Sequence, residues 1–379
     1  MIPPSSKPSV IVHVFGKTDV GRTREHNEDA FAVADLSRGA TALDAAVRTH
    51  VVGDRGTLFM VADGMGGAAA GEIASEMAID VVLKEVPERL GKGEGLNEEQ
   101  FAAAIKRATA SANAHIHTFA LEHPEYRGMG TTATVAGVLG DTLYLAQVGD
   151  SRAYLVRNGV GQQITKDQSL MQKLIEAGEL TEEEAEQSER RNIILQALGP
   201  EATIKIDLTH QRVRRGDTLV LCSDGLSGQV RVDEMARIVT EERDLAVACQ
   251  MMIDRANERG GPDNITVIVA RFEGEGLADP NAGDDVGHRI FPLTTDSGPT
   301  PAVDWTSTTA PTPVAPAPKR IMPNTLEFPI LPDAALRRKI RGQVIALVLL
   351  LLLVAGGFWW VYRTTALVVA PQHNSVPKP

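Results

Sequence analysis

Five short stretches of this chain share one peculiarity: each carries an acidic residue at the end of an apolar run or in a Gly/Asn-rich turn beside one. They are Arg24–Asp29 (REHNED), Ala62–Gly67 (ADGMGG), Val148–Arg152 (VGDSR), Cys222–Gly225 (CSDG) and Gly260–Asn264 (GGPDN). An isolated ionised carboxylate is strongly disfavoured away from water, so a fold that gathers such strand ends needs cations to meet them. Ligation by Asp oxygens, a backbone carbonyl and water suits hard ions such as Mg²⁺ and Mn²⁺, whereas zinc favours His and Cys. In Asp63–Gly64 and Asp224–Gly225 the apolar run delivers the carboxylate, and the glycine omits a Cβ so that an ion or another backbone can approach. One Asp-Gly pair alone reads as a hairpin turn. Five acidic stretches in one domain read as parts of one site.

The runs between them define the fold class. Leu58–Ala62, Thr132–Leu139, Thr142–Val148, Arg152–Val156, Thr218–Cys222 and Ile265–Arg271 are strand-like, and several are separated by only two to five residues, which implies antiparallel hairpins and meanders. Helical patterns cover Gly71–Val86, Glu98–Phe119, Gln168–Ala177 and Asp244–Arg259. Long helices lying between groups of strands predict an α+β sandwich rather than a βαβ alternation.

Composition then divides the chain of 379 residues. Residues 10–272 form one folded domain. Residues 273–336 lose periodicity and carry eleven of the 21 prolines, as a flexible linker would. Val344–Val361 contains no polar side chain over eighteen residues, roughly 27 Å as a helix. That length spans a bilayer core, and we expect a transmembrane helix over 343–362. Arg337, Arg338, Lys339 and Arg341 precede it, and Phe358, Trp359, Trp360 and Tyr362 cluster at its far end. The positive-inside rule keeps the folded domain in the cytoplasm and leaves 363–379 as a short extracytoplasmic tail of a single-pass inner-membrane protein. The N-terminus has no signal-peptide pattern. A net charge of -11, with no basic block in the folded domain, argues against nucleic acid as a partner. Cys222 and Cys249 are too few and too far apart for a disulfide framework.

REHNEDA, FMVADGMGG, GTTATV, AQVGDSRAY, LCSDGL and GGPDNITVIV, in this order, resemble the metal-dependent serine/threonine phosphatases of the PPM (PP2C-type) family in their bacterial form, over about 17–272. The resemblance implies a four-layer α-β-β-α sandwich with a binuclear Mn²⁺/Mg²⁺ centre at one end. It implies that Asp63 bridges the two ions, that the Gly64 carbonyl binds one of them, and that Asp224 and Asp263 bind the other. Asp29, with Glu28 beside it, would hold metal-associated water. Asp150 corresponds to the ligand of a third, looser ion, and Arg24 to the arginine that grips substrate phosphate. The segment 168–198 resembles the family's flap, with Ser188–Glu189–Arg190 before the Arg-Asn where His-Pro is usual, and Met65 stands where many eukaryotic members carry a histidine acid.

The expected function is hydrolysis of phosphoserine and phosphothreonine by a metal-activated water, without a protein nucleophile. Small phosphomonoesters as substrates, or a non-catalytic phospho-ligand scaffold, are the competing readings. A 64-residue linker with an r.m.s. span of roughly 45 Å keeps targets near the membrane. Phosphorylated proteins, including membrane-associated serine/threonine kinases and their substrates, are the expected partners. His115 and His117 lie two apart on a helix and do not suggest a metal pair, and Gly16–Lys17–Thr18 lacks the earlier glycine of a phosphate-binding loop.

Overall fold

Strands buried on both faces read as continuous apolar runs, and alternate residues must then serve two different cores. A computed structural model describes residues 9–37, 49–91, 95–188, 190–281 and 283–293. The chain divides into units Met1–Pro301 and Ala302–Pro379, and the second lies outside the described residues. The expected membrane span over 343–362, the tail 363–379 and most of the linker fall there too. Among the described residues no helix is long and apolar enough to cross a membrane.

Twelve strands form two antiparallel sheets. One contains β1 (Ile11–Asp19), β3 (Thr49–Val51), β8 (Arg152–Arg157), β9 (Val160–Gln163), β11 (Thr218–Cys222) and β12 (Ile265–Glu273), in the order β3-β1-β12-β11-β8-β9. The other contains β2 (Asp29–Asp35), β4 (Thr57–Met65), β6 (Ala133–Leu139), β7 (Thr142–Val148) and β10 (Asp207–Arg212), in the order β10-β7-β6-β4-β2, with β5 (Gly130–Thr131) paired to the end of β4.

The period of two along each strand builds the layers. Phe59 and Val61 of β4, Leu219 and Leu221 of β11, and Ile268 and Phe272 of β12 share the core between the sheets. Their neighbours face outward. Met60 and Ala62 pack with Phe101 and Ile105 of α2 (Glu98–Glu122) and with Ala74 and Ala78 of α1 (Ala68–Leu90). Val220, Val267 and Val269 pack with Met235 and Val239 of α6 (Val232–Glu241) and with Met252 and Ile253 of α7 (Leu245–Glu258). The result is the four-layer sandwich. Asn97 starts α2 with a reciprocal capping box to Gln100, which satisfies two otherwise orphaned amides.

The described chain continues to pack beyond Phe272, where the sequence pattern suggested a linker. Leu277 is buried in the inter-sheet core. Asp284 makes two 2.8 Å bonds to the Arg214 guanidinium. The His210 amide donates to Arg289 O and the Phe291 amide to Leu208 O, each at 2.9 Å. Residues 285–291 thereby cover part of the open edge of β10, and Phe291 meets Tyr144 edge-on at 5.3 Å. Lack of periodicity is no guide here, because single anchors and backbone bonds hold the segment.

Candidate active site

The alternation that builds the inter-sheet core also aims the carboxylates. Asp29 shares a face with Phe31 and Val33 of β2, and Asp63 with Phe59 and Val61 of β4, so both project between the sheets at one end. They are direct partners across the β2–β4 ladder. Asp150 lies in the turn that carries the chain from β7 in one sheet to β8 in the other. Asp224 follows β11 as the first residue of the short helix α5 (Asp224–Ser227), and Asp263 precedes β12 by two residues. Because β8, β11 and β12 pair antiparallel, with Cys222 opposite both Arg152 and Val267, these three acids emerge at the same end.

The electrostatics record the convergence. Burial pushes the Asp63 carboxyl well above the usual carboxylate range, and Asp29, Asp224, Asp150 and Asp263 each push it further. Asp29 is pushed up to about 7, by burial first, then by the charges of Asp224 and Asp263. Asp150 is pushed up to about 8 by burial and by Asp224, against the pull of Arg152. Asp224 is raised by burial and by Asp263, with Asp63 opposing the shift. Glu28, just before β2, is raised by burial while Arg24 opposes the shift. Arg24 donates to Asp263 Oδ2 at 2.8 Å and is about half exposed, at 49%.

Backbone approach requires the two glycines. A Cβ at Gly64 would collide with Gly71 O and Glu28 O, and one at Gly225 with Asn264 O. Closing these gaps brings the β4 end, the start of α1 and the Glu28 loop together, and likewise the β11 and β12 ends.

The donor set fits divalent cations. Asp29 Oδ1 and Asp150 Oδ1 are buried with no hydrogen-bond partner, in a cluster whose members repel one another. Buried oxygens of one charge without donors call for a cation. Among the described residues no set of three or more His, Cys, Asp or Glu side chains is arranged to enclose one ion unaided. An oxygen-loving ion here would complete its shell with backbone carbonyl and water, as Mg²⁺ commonly does.

Residues without an assigned role in the sequence reading hold this cluster in place. Thr132 Oγ1 accepts from the Asp63 amide at 3.0 Å, the Thr132 amide donates to Asp63 O at 2.9 Å, and Thr131 Oγ1 donates to the same carbonyl at 3.0 Å. Thr132 and Ser151 hydroxyls lie 2.7 Å apart, linking β4 to the Asp150 turn. Asn264 accepts from the Glu28 amide at 2.8 Å and donates to Val20 O and His26 O at 2.9 Å. All belong to GTTATV, GDSR or PDN, and their hydroxyl or amide character was the available signal.

A cavity of about 560 Å³ opens from the cluster, with Arg24, Asp150, Asp224 and Asp263 on one side. Its other side comes from α3 (Leu170–Glu176) and α4 (Glu182–Glu186), the expected flap, through Gln172, Ile175 and Ala185. Glu189 is outside the described residues. His115 and His117 bond backbone carbonyls of Ser111 and Gly199 rather than each other. Lys17 lies within β1 and donates to Gln250, away from any phosphate-binding loop.

A family model described as Protein phosphatase 2C matches residues 27–265. The serine/threonine phosphatase stp of Listeria innocua is 36% identical over 258 residues, covering 68% of this chain and 95% of that protein. Among solved structures, the Mycobacterium tuberculosis serine/threonine phosphatase PstP/Ppp superposes with a TM-score of 0.58 at 33% identity, over 69% of this chain and 99% of that one. A catalytic domain of PstP in complex with two manganese ions gives 0.57 at 32% identity, over 70% and 99%.

Proposed function

We propose that this chain, which belongs to the protein phosphatase 2C family, is a Mn²⁺- or Mg²⁺-dependent phosphoprotein phosphatase acting on phosphoserine and phosphothreonine. The observation that carries the reading is the meeting of Asp29, Asp63, Asp150, Asp224 and Asp263 at one end of the sandwich, with Arg24, Asp150, Asp224 and Asp263 lining one cavity. Related phosphatases of the same length as the domain, and the manganese complex of PstP, support it.

Asp63, the Gly64 carbonyl, Asp224 and Asp263 would hold two divalent ions, with Asp29 and Glu28 alongside and Asp150 available to a third. When bound, the ions neutralise the carboxylates, lower the pKa of water and stabilise charge on the phosphoryl group. Arg24 offers a planar, two-pronged donor to the phosphate oxygens and thereby orients the ester. Asp263 holds that guanidinium in position from behind. Asp29 Oδ1, buried and unpartnered, can accept a hydrogen bond from the attacking water. Water's oxygen forms the new bond to phosphorus, the bond to the serine or threonine oxygen breaks, and that oxygen takes up a proton as inorganic phosphate leaves. Because water supplies the attacking oxygen, no nucleophilic side chain is required.

Tethering to the cytoplasmic face of the inner membrane through 343–362 is part of the proposal. It is supported by the uninterrupted apolar run and its basic and aromatic flanks. Membrane-associated kinases and their substrates are then the natural targets. The test is hydrolysis of phosphoserine, phosphothreonine and phosphotyrosine peptides by the full chain with Mn²⁺. Release of phosphate from the first two, lost with chelator and in Asp224→Asn, supports the reading; metal-independent hydrolysis, or none, contradicts it. Recovery of the protein in the membrane fraction, lost when 337–379 are deleted, tests the tether.

A further inference from the structure

The face of β11 that carries Leu219 and Leu221 continues past the last ladder residue to Ser223. Ser223 is wholly buried. Its oxygen accepts from the Thr266 amide at 3.0 Å and lies 2.7 Å from Asp29 Oδ2, across 194 residues of sequence. Among the described residues the other acceptor near the hydroxyl is Asn264 O, at 3.5 Å, the outer limit of a hydrogen bond. A hydroxyl has one proton, and the shorter contact to a charged acceptor claims it. Oδ2 of Asp29 is therefore committed, and Oδ1 is left buried without a partner.

We infer that Ser223 is a positioning residue for cation capture: its hydroxyl pins Asp29 Oδ2, which leaves Oδ1 to hold water on an ion that Asp63 and Asp224 would bind. The inference rests on the reading of the cluster as a divalent-cation centre. Ser223 is also the residue before Asp224, and its amide donates to Thr266 O at 3.1 Å. One residue thus fixes the β11 end to β12 through its backbone and to β2 through its side chain. Movement of the Asp224 loop and rotation of the Asp29 carboxylate become a single event. Hydrogen-bond partners one shell out from an ion tune its affinity in this way.

The test uses the full chain, titrated with Mn²⁺ while free Mn²⁺ is read by electron paramagnetic resonance. Ser223→Ala raises the Mn²⁺ Kd about tenfold, lowers kcat at subsaturating Mn²⁺ and leaves the phosphopeptide KM at saturating Mn²⁺ unchanged. Ser223→Cys keeps the volume but donates weakly, and it raises Kd as well, which serves if the alanine variant does not fold. In an Asp29→Asn background the Ser223 substitution changes Kd less than about twofold, because the coupling partner has already been altered. Wild-type Mn²⁺ affinity in either Ser223 variant overturns the inference, as does an equal loss of affinity with and without Asp29. Failure of the unsubstituted chain to take up Mn²⁺ instead overturns the cation-centre reading on which it rests.

Discussion

Asp29 and Asp63 face each other directly across an antiparallel strand pair, on the side turned toward the opposite sheet, and each raises the cost of charging its neighbourhood. Like charges opposite one another destabilise a sheet pair, and burial adds to the cost. The site is built at the expense of the fold.

Asp63→Asn should therefore stabilise the metal-free protein while removing activity. Relief of one buried, repelled carboxylate is expected to contribute about 1–2 kcal/mol, or roughly 2–8 °C in Tm. Calorimetry in chelator checks it: the variant should melt higher than wild type without metal and gain nothing from added Mn²⁺. A lower Tm in chelator would mean that Asp63 is held by favourable bonds instead.

Arg24 is half exposed, and among the described residues its side chain hydrogen-bonds Asp263 alone, so its loss should spare the fold. Steady-state kinetics of Arg24→Ala should give a KM for phosphopeptide raised about tenfold, roughly 1.4 kcal/mol of lost phosphate contact. Arg24→Lys should recover part of this, since it keeps charge but lacks the two-pronged geometry. An unchanged KM in both variants would remove Arg24 from the substrate site.

The segment after β12 behaves as part of the domain. Leu277→Ala should destabilise by about 2–5 kcal/mol, the range for truncating a buried leucine, and Phe291→Ala should loosen the cover over β10 next to Tyr144. Urea unfolding measures the first, and faster amide exchange at His210, whose amide donates to Arg289 O, the second. A true linker would show neither.

Both cysteines are buried, and burial pushes each thiol up to about 12. Because their pKa values are raised, the reactive thiolate stays scarce at pH 8. A disulfide exchange reagent should titrate no thiol in the native protein at that pH and two after denaturation. Rapid loss of activity on alkylation would contradict the placement of Cys222 behind the site.

Much of this was legible in the sequence, and for definite reasons. Leu219 to Cys222 and Val267 to Ala270 are apolar throughout because two cores claim alternate residues, so the strands announced themselves. Each Asp stood at a strand end beside glycine or a turn, and it was the recurrence of the pattern five times that pointed to one site. The spacing of Leu219, Leu221 and Ser223 contained the direction of the serine, but its partner Asp29 lies 194 residues away and no local pattern encodes that pairing. The phosphate contact expected of Arg24 came only from family resemblance, and its tie to Asp263 needed the fold. Residues 277–293 were opaque, since Leu277 and Phe291 act as lone anchors without periodicity.

Everything rests on the cluster holding divalent ions together. Crystals of the Mn²⁺-loaded protein, measured at the manganese absorption edge, test this most directly. The account predicts two anomalous peaks within about 4 Å of each other, flanking Asp63, with Asp224 and Asp263 on one of them. No peak at the Asp63 end of the sandwich, or a single ion bound away from Asp63 and Asp224, would contradict it.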